Sequence, residues 1–153
     1  MANKIIKTNL YLFYEQITCL GGLFFYCFLL ILLLMVGEFD LSAELMLSLF
    51  CVMALAIISK LLFFKERPVR QEKNNIIERI DASSFPSIHS MRVSSLVFWL
   101  SLYFNNVIMT CYFAVIGLMV VYSRVFLKKH FIIDVIFGII FSIVINMLLW
   151  WFI

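Results

Sequence analysis

Charge is what this sequence has least of. Only 14% of its 153 residues are Asp, Glu, Lys or Arg, while 65% are hydrophobic and the mean hydropathy is +1.08. Soluble globular domains carry about 25% charged residues, so that class is excluded. The formal charge of +3 is small and scattered, which argues against a nucleic-acid partner, whose phosphates call for a concentrated basic face. The four cysteines, Cys19, Cys27, Cys51 and Cys111, all fall in apolar runs without CxxC or metal-type spacing. They read as small hydrophobes on helices, not as disulfides or ligands. There is no internal repeat and no low-complexity tract. Histidine is scarcest of the reactive residues: His89 and His130 only, both at the edges of apolar runs with Arg and Ser beside them.

What the chain has instead is long apolar segments. About twenty apolar residues cross a hydrocarbon core of roughly 30 Å as a helix, and five candidate spans can be marked: Leu20–Val36, Leu45–Phe64, Ile88–Phe104, Val107–Leu127 and Phe131–Ile153. Lipid offers backbone groups no partner, so helices are the expected form, and a β-barrel would alternate rather than run apolar. The fold class predicted is all-α, an integral-membrane helical bundle of about five transmembrane helices. The length fits a single membrane domain over 1–153. Residues 1–16 read as an interfacial N-terminal segment, with Lys4–Lys7 as an anchor and Tyr11, Phe13 and Tyr14 leading into the first span. That first apolar run is too long for a signal-peptide core and no cleavage pattern follows it, so it reads as a retained anchor. Trp150 and Trp151 suit an interfacial belt at the far end, and Asn105-Asn106 a tight turn.

Residues 65–87 are the only long polar segment, a membrane-edge loop. Within it Ile76, Ile77 and Ile80 lie among Glu78, Arg79 and Asp81, the pattern of a short amphipathic turn resting on the membrane as a lid, or of a solvated loop. Five spans put the N-terminus, this loop and the turn before His130 on one side. All twelve Lys and Arg lie on that side or at its membrane edge, whereas the opposite loops hold only Glu38, Asp40 and Glu44. The positive-inside rule places that side in the cytoplasm, and the cell membrane is the expected location.

Three clusters on this face carry the chemistry. The longest is Ser123-Arg124-Val-Phe-Leu-Lys-Lys-His130-Phe-Ile-Ile-Asp134. Ionisable groups at bilayer depth cost roughly 2.5–3.5 kcal/mol on insertion scales and mark functional sites by default. His130 and Asp134 are four apart, so a helix would set them on one face, with the carboxylate holding one ring nitrogen and the other free to attack. Arg124 can grip an anion in a two-pronged fashion. Lys128 and Lys129 read best as anchors to anionic headgroups. The second cluster ends the second span: Lys60 and Arg67 are two helical turns apart, and Pro68 marks the helix end. Alone, this pair would be snorkelling cations. The third is Phe85-Pro86-Ser87-Ile88-His89-Ser90, a helix start whose free N–H groups and dipole suit an anion. Arg92, one turn on from His89, fits a fourth phosphate contact and a structural ion pair equally.

Together, Lys60-x6-Arg67-Pro68, Pro86-Ser87-x-His89 and Ser123-Arg124-x5-His130-x3-Asp134 resemble the three-part signature of the type 2 phosphatidic acid phosphatase family, shared with vanadium haloperoxidases. Order and spacing agree in all three parts, from Lys60 to Asp134. Ile88 stands where the family usually has glycine, which bears on loop geometry and substrate size. Membrane members commonly have six spans, one more than counted here. The resemblance implies His130 as nucleophile, forming a phosphohistidine, Asp134 as its orienting carboxylate and His89 as general acid. It implies Lys60, Arg67, Arg124, Ser87 and the Ile88 N–H as the phosphate cradle. No metal and no cofactor are implied, and Asp134 is the only acidic residue among the matched signature positions, too few for a two-metal site. The function expected is hydrolysis of a membrane lipid phosphate or diphosphate, such as phosphatidate, phosphatidylglycerol phosphate or polyprenyl diphosphate, with the lipid bilayer as the other partner. The competing class, a non-enzymatic membrane protein that binds anionic lipid or transports an anion, has no use for a carboxylate-oriented histidine.

Overall fold

The computed structural model describes residues 2–69 and 75–153. Its elements are helices: α1 (Ala2–Ile17), a 3₁₀ turn (Thr18–Gly21), α2 (Leu23–Val36), α3 (Phe39–Leu62), α4 (Ile76–Ala82), α5 (Ile88–Phe104), α6 (Val107–Phe126) and α7 (Ile132–Phe152). The all-α bundle expected from the apolar runs is the fold observed.

Helix α5 is the centre, packed against α3, α6, α7 and the 3₁₀ turn. It is 17 residues long. By length and composition three helices can cross a membrane, α3, α6 and α7, and a fourth span arises if α1 with the 3₁₀ turn and α2, bent by 50°, count as one. Counted so, the first span runs longer than its apolar run, because helix continues back from the 3₁₀ turn through Ile6–Ile17. That segment is a packed element: Tyr14 of α1 lies with its ring 4.5 Å from Phe126 and 5.3 Å from Tyr122 of α6. Residues 70–74 of the polar segment and the side chains of Lys4, Ile76, Ile77 and Arg79 lie outside the described residues. In that segment, read from sequence as an amphipathic turn or a solvated loop, Ile76–Ala82 form the short helix α4.

Local chemistry sets the element ends. Gly37 takes a left-handed φ of 93°, and its N–H and that of Glu38 bond back to Leu34 and Leu33, closing α2. Asn105 adopts the left-handed region at φ 42°, and the Asn106 side chain accepts from the Ile108 and Met109 N–H groups, so the two asparagines end α5 and start α6. The outward faces stay apolar, with Phe24, Phe50, Ile108, Leu118 and Ile140 exposed, a surface suited to lipid.

The interior is not uniformly apolar. Around Tyr26, Leu41, Leu45, Leu96 and Trp99 runs a polar network joining three helices. Asn146 of α7 accepts from Trp99 Nε1 at 2.7 Å and from the Ser48 hydroxyl at 2.5 Å, and donates to Ser95 Oγ at 2.8 Å. Ser142 donates to the Met91 carbonyl at 2.8 Å. Hydrophobic attraction between helices is weak in lipid, and such bonds, with close backbone approach, help hold them together. Gly138 provides that approach: a Cβ there would stand 2.8 Å from the Ser87 carbonyl oxygen, so α7 lies directly against the first turn of α5.

Candidate active site

The C-terminal ends of α3 and α6 and the N-terminal ends of α5 and α7 meet at one end of the bundle, and the three clusters meet with them. Ser87 caps α5, its hydroxyl accepting from the Ser90 N–H at 3.5 Å and the Ser90 hydroxyl at 2.9 Å. The Ser87 N–H bonds to the Asp134 carbonyl at 3.0 Å, tying the second cluster to the third. At the end of α6 the Arg124 carbonyl accepts from the N–H groups of Lys129 and His130 at 3.1 and 3.2 Å. Lys128, at a left-handed φ of 54°, turns the chain back, so His130 hangs beside Arg124.

Two geometric expectations are corrected. Arg67 does not share a helix with Lys60: α3 ends at Leu62, before Pro68. The chain runs on extended, and Glu66 forms an isolated bridge with Ser83 while Ser84 N–H bonds to the Lys65 carbonyl at 2.7 Å. Arg67 reaches the site from this clamp. Nor do His130 and Asp134 share a helix face, since α7 starts at Ile132 and His130 lies in the preceding turn. The Asp134 carboxylate accepts from the Phe131 N–H at 2.9 Å and pairs with Lys65 Nζ at 2.6 Å. His130 Nδ1 lies instead 2.7 Å from the Ser84 carbonyl oxygen. A carbonyl only accepts, so Nδ1 carries the proton and Nε2 keeps its lone pair.

The cations surround this ring. Burial, then the charges of Arg124 and Arg67, and finally that of Lys60 hold the His130 imidazole far below its ordinary value, at about 3, against the opposing pull of the Ser84 bond. Burial likewise lowers Arg67, opposed by Asp81, whose carboxylate lies 3.4 Å from the guanidinium. Lys60 is 3% exposed and donates to the carbonyls of Ile80 and Ser83 at 3.1 and 2.6 Å, leaving one N–H. Arg124 donates to Thr18 Oγ1 at 2.8 Å. Arg67, Arg92 and Arg124 each keep a buried Nε without a protein partner. His89 is half-buried, and the charges of Arg124, Arg92, His130 and Lys129 all act on it. Ile88 opens α5 with its N–H in the first turn, where helix amides lack intrahelical partners.

All eight residues singled out in the sequence thus lie at one end of the bundle. Four others had been missed. Ser84 acts through its backbone carbonyl, which no side-chain pattern reveals. Thr18 lies far upstream of the motifs. Lys65 and Asp81 read as ordinary loop charges, and only the fold sets them against Asp134 and Arg67. Among the described residues no group of three His, Cys, Asp or Glu could hold a metal ion.

The family model described as PAP2 superfamily matches residues 41–153. No curated protein matches the chain. Among solved structures it is similar to the crystal structure of Aquifex aeolicus LpxE, with a TM-score of 0.77 and 21% identity over 92% of this chain and 84% of that one.

Proposed function

This chain belongs to the PAP2 superfamily, a lipid phosphatase family, and from that premise we propose that it hydrolyses a lipid phosphate or diphosphate through a phosphohistidine on His130. The observation that carries this is the ring itself. A neutral imidazole, fixed in one tautomer by the Ser84 carbonyl, presents Nε2 amid the charges of Arg124, Arg67 and Lys60.

The phosphate oxygens bind Lys60, Arg67, Arg124, the Ser87 hydroxyl and the Ile88 N–H. Guanidinium groups with unpartnered buried Nε atoms suit such an anion, because those buried N–H groups otherwise have no acceptor. His130 Nε2 attacks phosphorus and the bond to the leaving oxygen breaks. His89 donates a proton to that oxygen, a contribution of about 10²–10⁴-fold in general acid catalysis. His89 then takes a proton from water, the hydroxide attacks phosphorus, and the P–N bond breaks to release phosphate and restore His130. Asp134, bonded to Lys65 and to the start of α7, holds the turn that carries His130. No metal takes part in this scheme. The site faces the cytoplasm in a cell membrane, with the lipid tail remaining in the bilayer.

The test is phosphate release by the purified protein in detergent with a chelator present, from phosphatidate, phosphatidylglycerol phosphate and a polyprenyl diphosphate. His130→Ala is expected to lose at least about 10³-fold in turnover. Release that survives this substitution rules out His130 as nucleophile. Release that requires an added metal refutes the metal-free scheme, and no release from any lipid by folded protein turns the assignment to binding or transport.

A further inference from the structure

Among the described residues the scheme above leaves one buried cation unused. Arg92 is 6% exposed, on the central helix of a membrane bundle, with its Nε unpartnered. Neither the Lys65–Asp134 nor the Arg67–Asp81 ion pair includes it. Its other neighbours, Tyr26 and Cys27, offer no carboxylate, and the Tyr26 hydroxyl is committed to the Leu45 carbonyl at 3.1 Å. The ion-pair alternative thus finds no partner. A buried guanidinium of this kind is costly unless a ligand supplies the counter-charge.

Its position says which part of a ligand. Arg92 is three residues after His89 on α5, about 4.5 Å deeper along the axis and on the same side. Helical side chains lean toward the N-terminus, so the guanidinium reaches back toward His89, and its charge acts on both His89 and Arg124. Phosphoryl oxygens lie with Arg124 and His130, whereas His89 meets the leaving oxygen. Arg92 follows His89 toward the bilayer, on the path the leaving group takes to its tail.

We propose that Arg92 binds a second anionic group on the leaving side, making the substrate a lipid diphosphate. This rests on the assignment of His89 as the acid. The terminal phosphorus transfers to His130 Nε2, its bond to the bridging oxygen breaks, and the lipid monophosphate departs with the proton from His89 on that oxygen. Arg92 neutralises this leaving phosphate. A phosphomonoester places an uncharged alcohol there and has no need of the residue.

The experiment compares farnesyl diphosphate with farnesyl monophosphate, in detergent with chelator, for the wild type, Arg92→Gln and Arg92→Lys. Loss of one charged hydrogen-bond partner should lower kcat/KM for the diphosphate about 10- to 100-fold in Arg92→Gln, with less than about a threefold change for the monophosphate and partial recovery in Arg92→Lys. A second measurement needs no variant. Methylenediphosphonate should inhibit wild-type hydrolysis of the monophosphate at least about tenfold more tightly than inorganic phosphate. An equal fall on both substrates, or equal inhibition by the two anions, overturns the assignment of Arg92 while leaving the phosphatase standing. Wild-type protein that releases phosphate from neither substrate overturns both.

Discussion

At the scale of single residues, the orienting partner of His130 decides its chemistry. A carboxylate would fix the tautomer and also stabilise the charged ring. The Ser84 carbonyl fixes the tautomer without bringing a full negative charge, and the neighbouring cations push the same way as burial. The ring proposed as nucleophile is therefore mostly neutral above about pH 3, with a consequence for stability. An unfolded histidine binds its proton near pH 6.5, whereas His130 in the fold does so only near 3. Between those values the unfolded chain holds more protons, so stability should fall as pH drops from about 6.5 toward 3 and be insensitive to His130 above that. Thermal melts in detergent from pH 4 to 8 check this: His130→Gln should flatten the acid-side slope. An unchanged slope would mean that the ring titrates normally. Asp134 was legible as a site residue but its partner was not, because the four-residue spacing assumes a helix that begins only at Ile132.

At the scale of elements, the site depends on four helix ends being brought to one level, and the interior polar network helps hold them there. Asn146 is 0% exposed, and its amide bonds Ser48 on α3, Ser95 and Trp99 on α5 and Ser142 on its own helix. Asn146→Leu would leave the Trp99 N–H and two hydroxyls short of partners in a dry interior. The expected loss is about 1–3 kcal/mol, set between the modest worth of membrane hydrogen bonds and the cost of orphaned polar groups, and it is read as a lower melting temperature in detergent. A variant as stable as the wild type would show that these bonds contribute nothing net. The network escaped sequence reading because lone Ser and Asn residues in apolar runs look incidental. The cap signals, by contrast, were legible: Ser87 and the Asn105-Asn106 pair act within their own turns. The end of α3 was misplaced at Pro68 because the pull that unwinds it is non-local, the pairing of residues 65–66 with 83–84.

At the scale of the molecule, α3 and α5–α7 place the Gly37–Glu38 and Asn105–Asn106 turns opposite the site. Glu38 and Asp40 lie at the far end, and Lys60, Lys65, Arg67, Arg124, Lys128 and Lys129 gather at the site end. The proposed cytoplasmic orientation predicts a labelling pattern in a chain whose native cysteines are replaced. A membrane-impermeant maleimide should modify Asp40→Cys on intact cells, and Val69→Cys only after permeabilisation. Both parent residues are exposed. The reverse pattern would put the site outside.

Read alone, the sequence determined the membrane class and the helical form, and it marked the candidate residues of the site. Each depends on a local property: apolar length against bilayer thickness, backbone satisfaction within one helix, and ionisable groups where lipid penalises them. Tertiary structure decided the rest. It set a backbone carbonyl against His130, gave Asp134 to Lys65 and Thr18 to Arg124, and left Arg92 without a carboxylate partner among the described residues. These are encounters between segments distant along the chain, settled by how the helices pack and where each one stops.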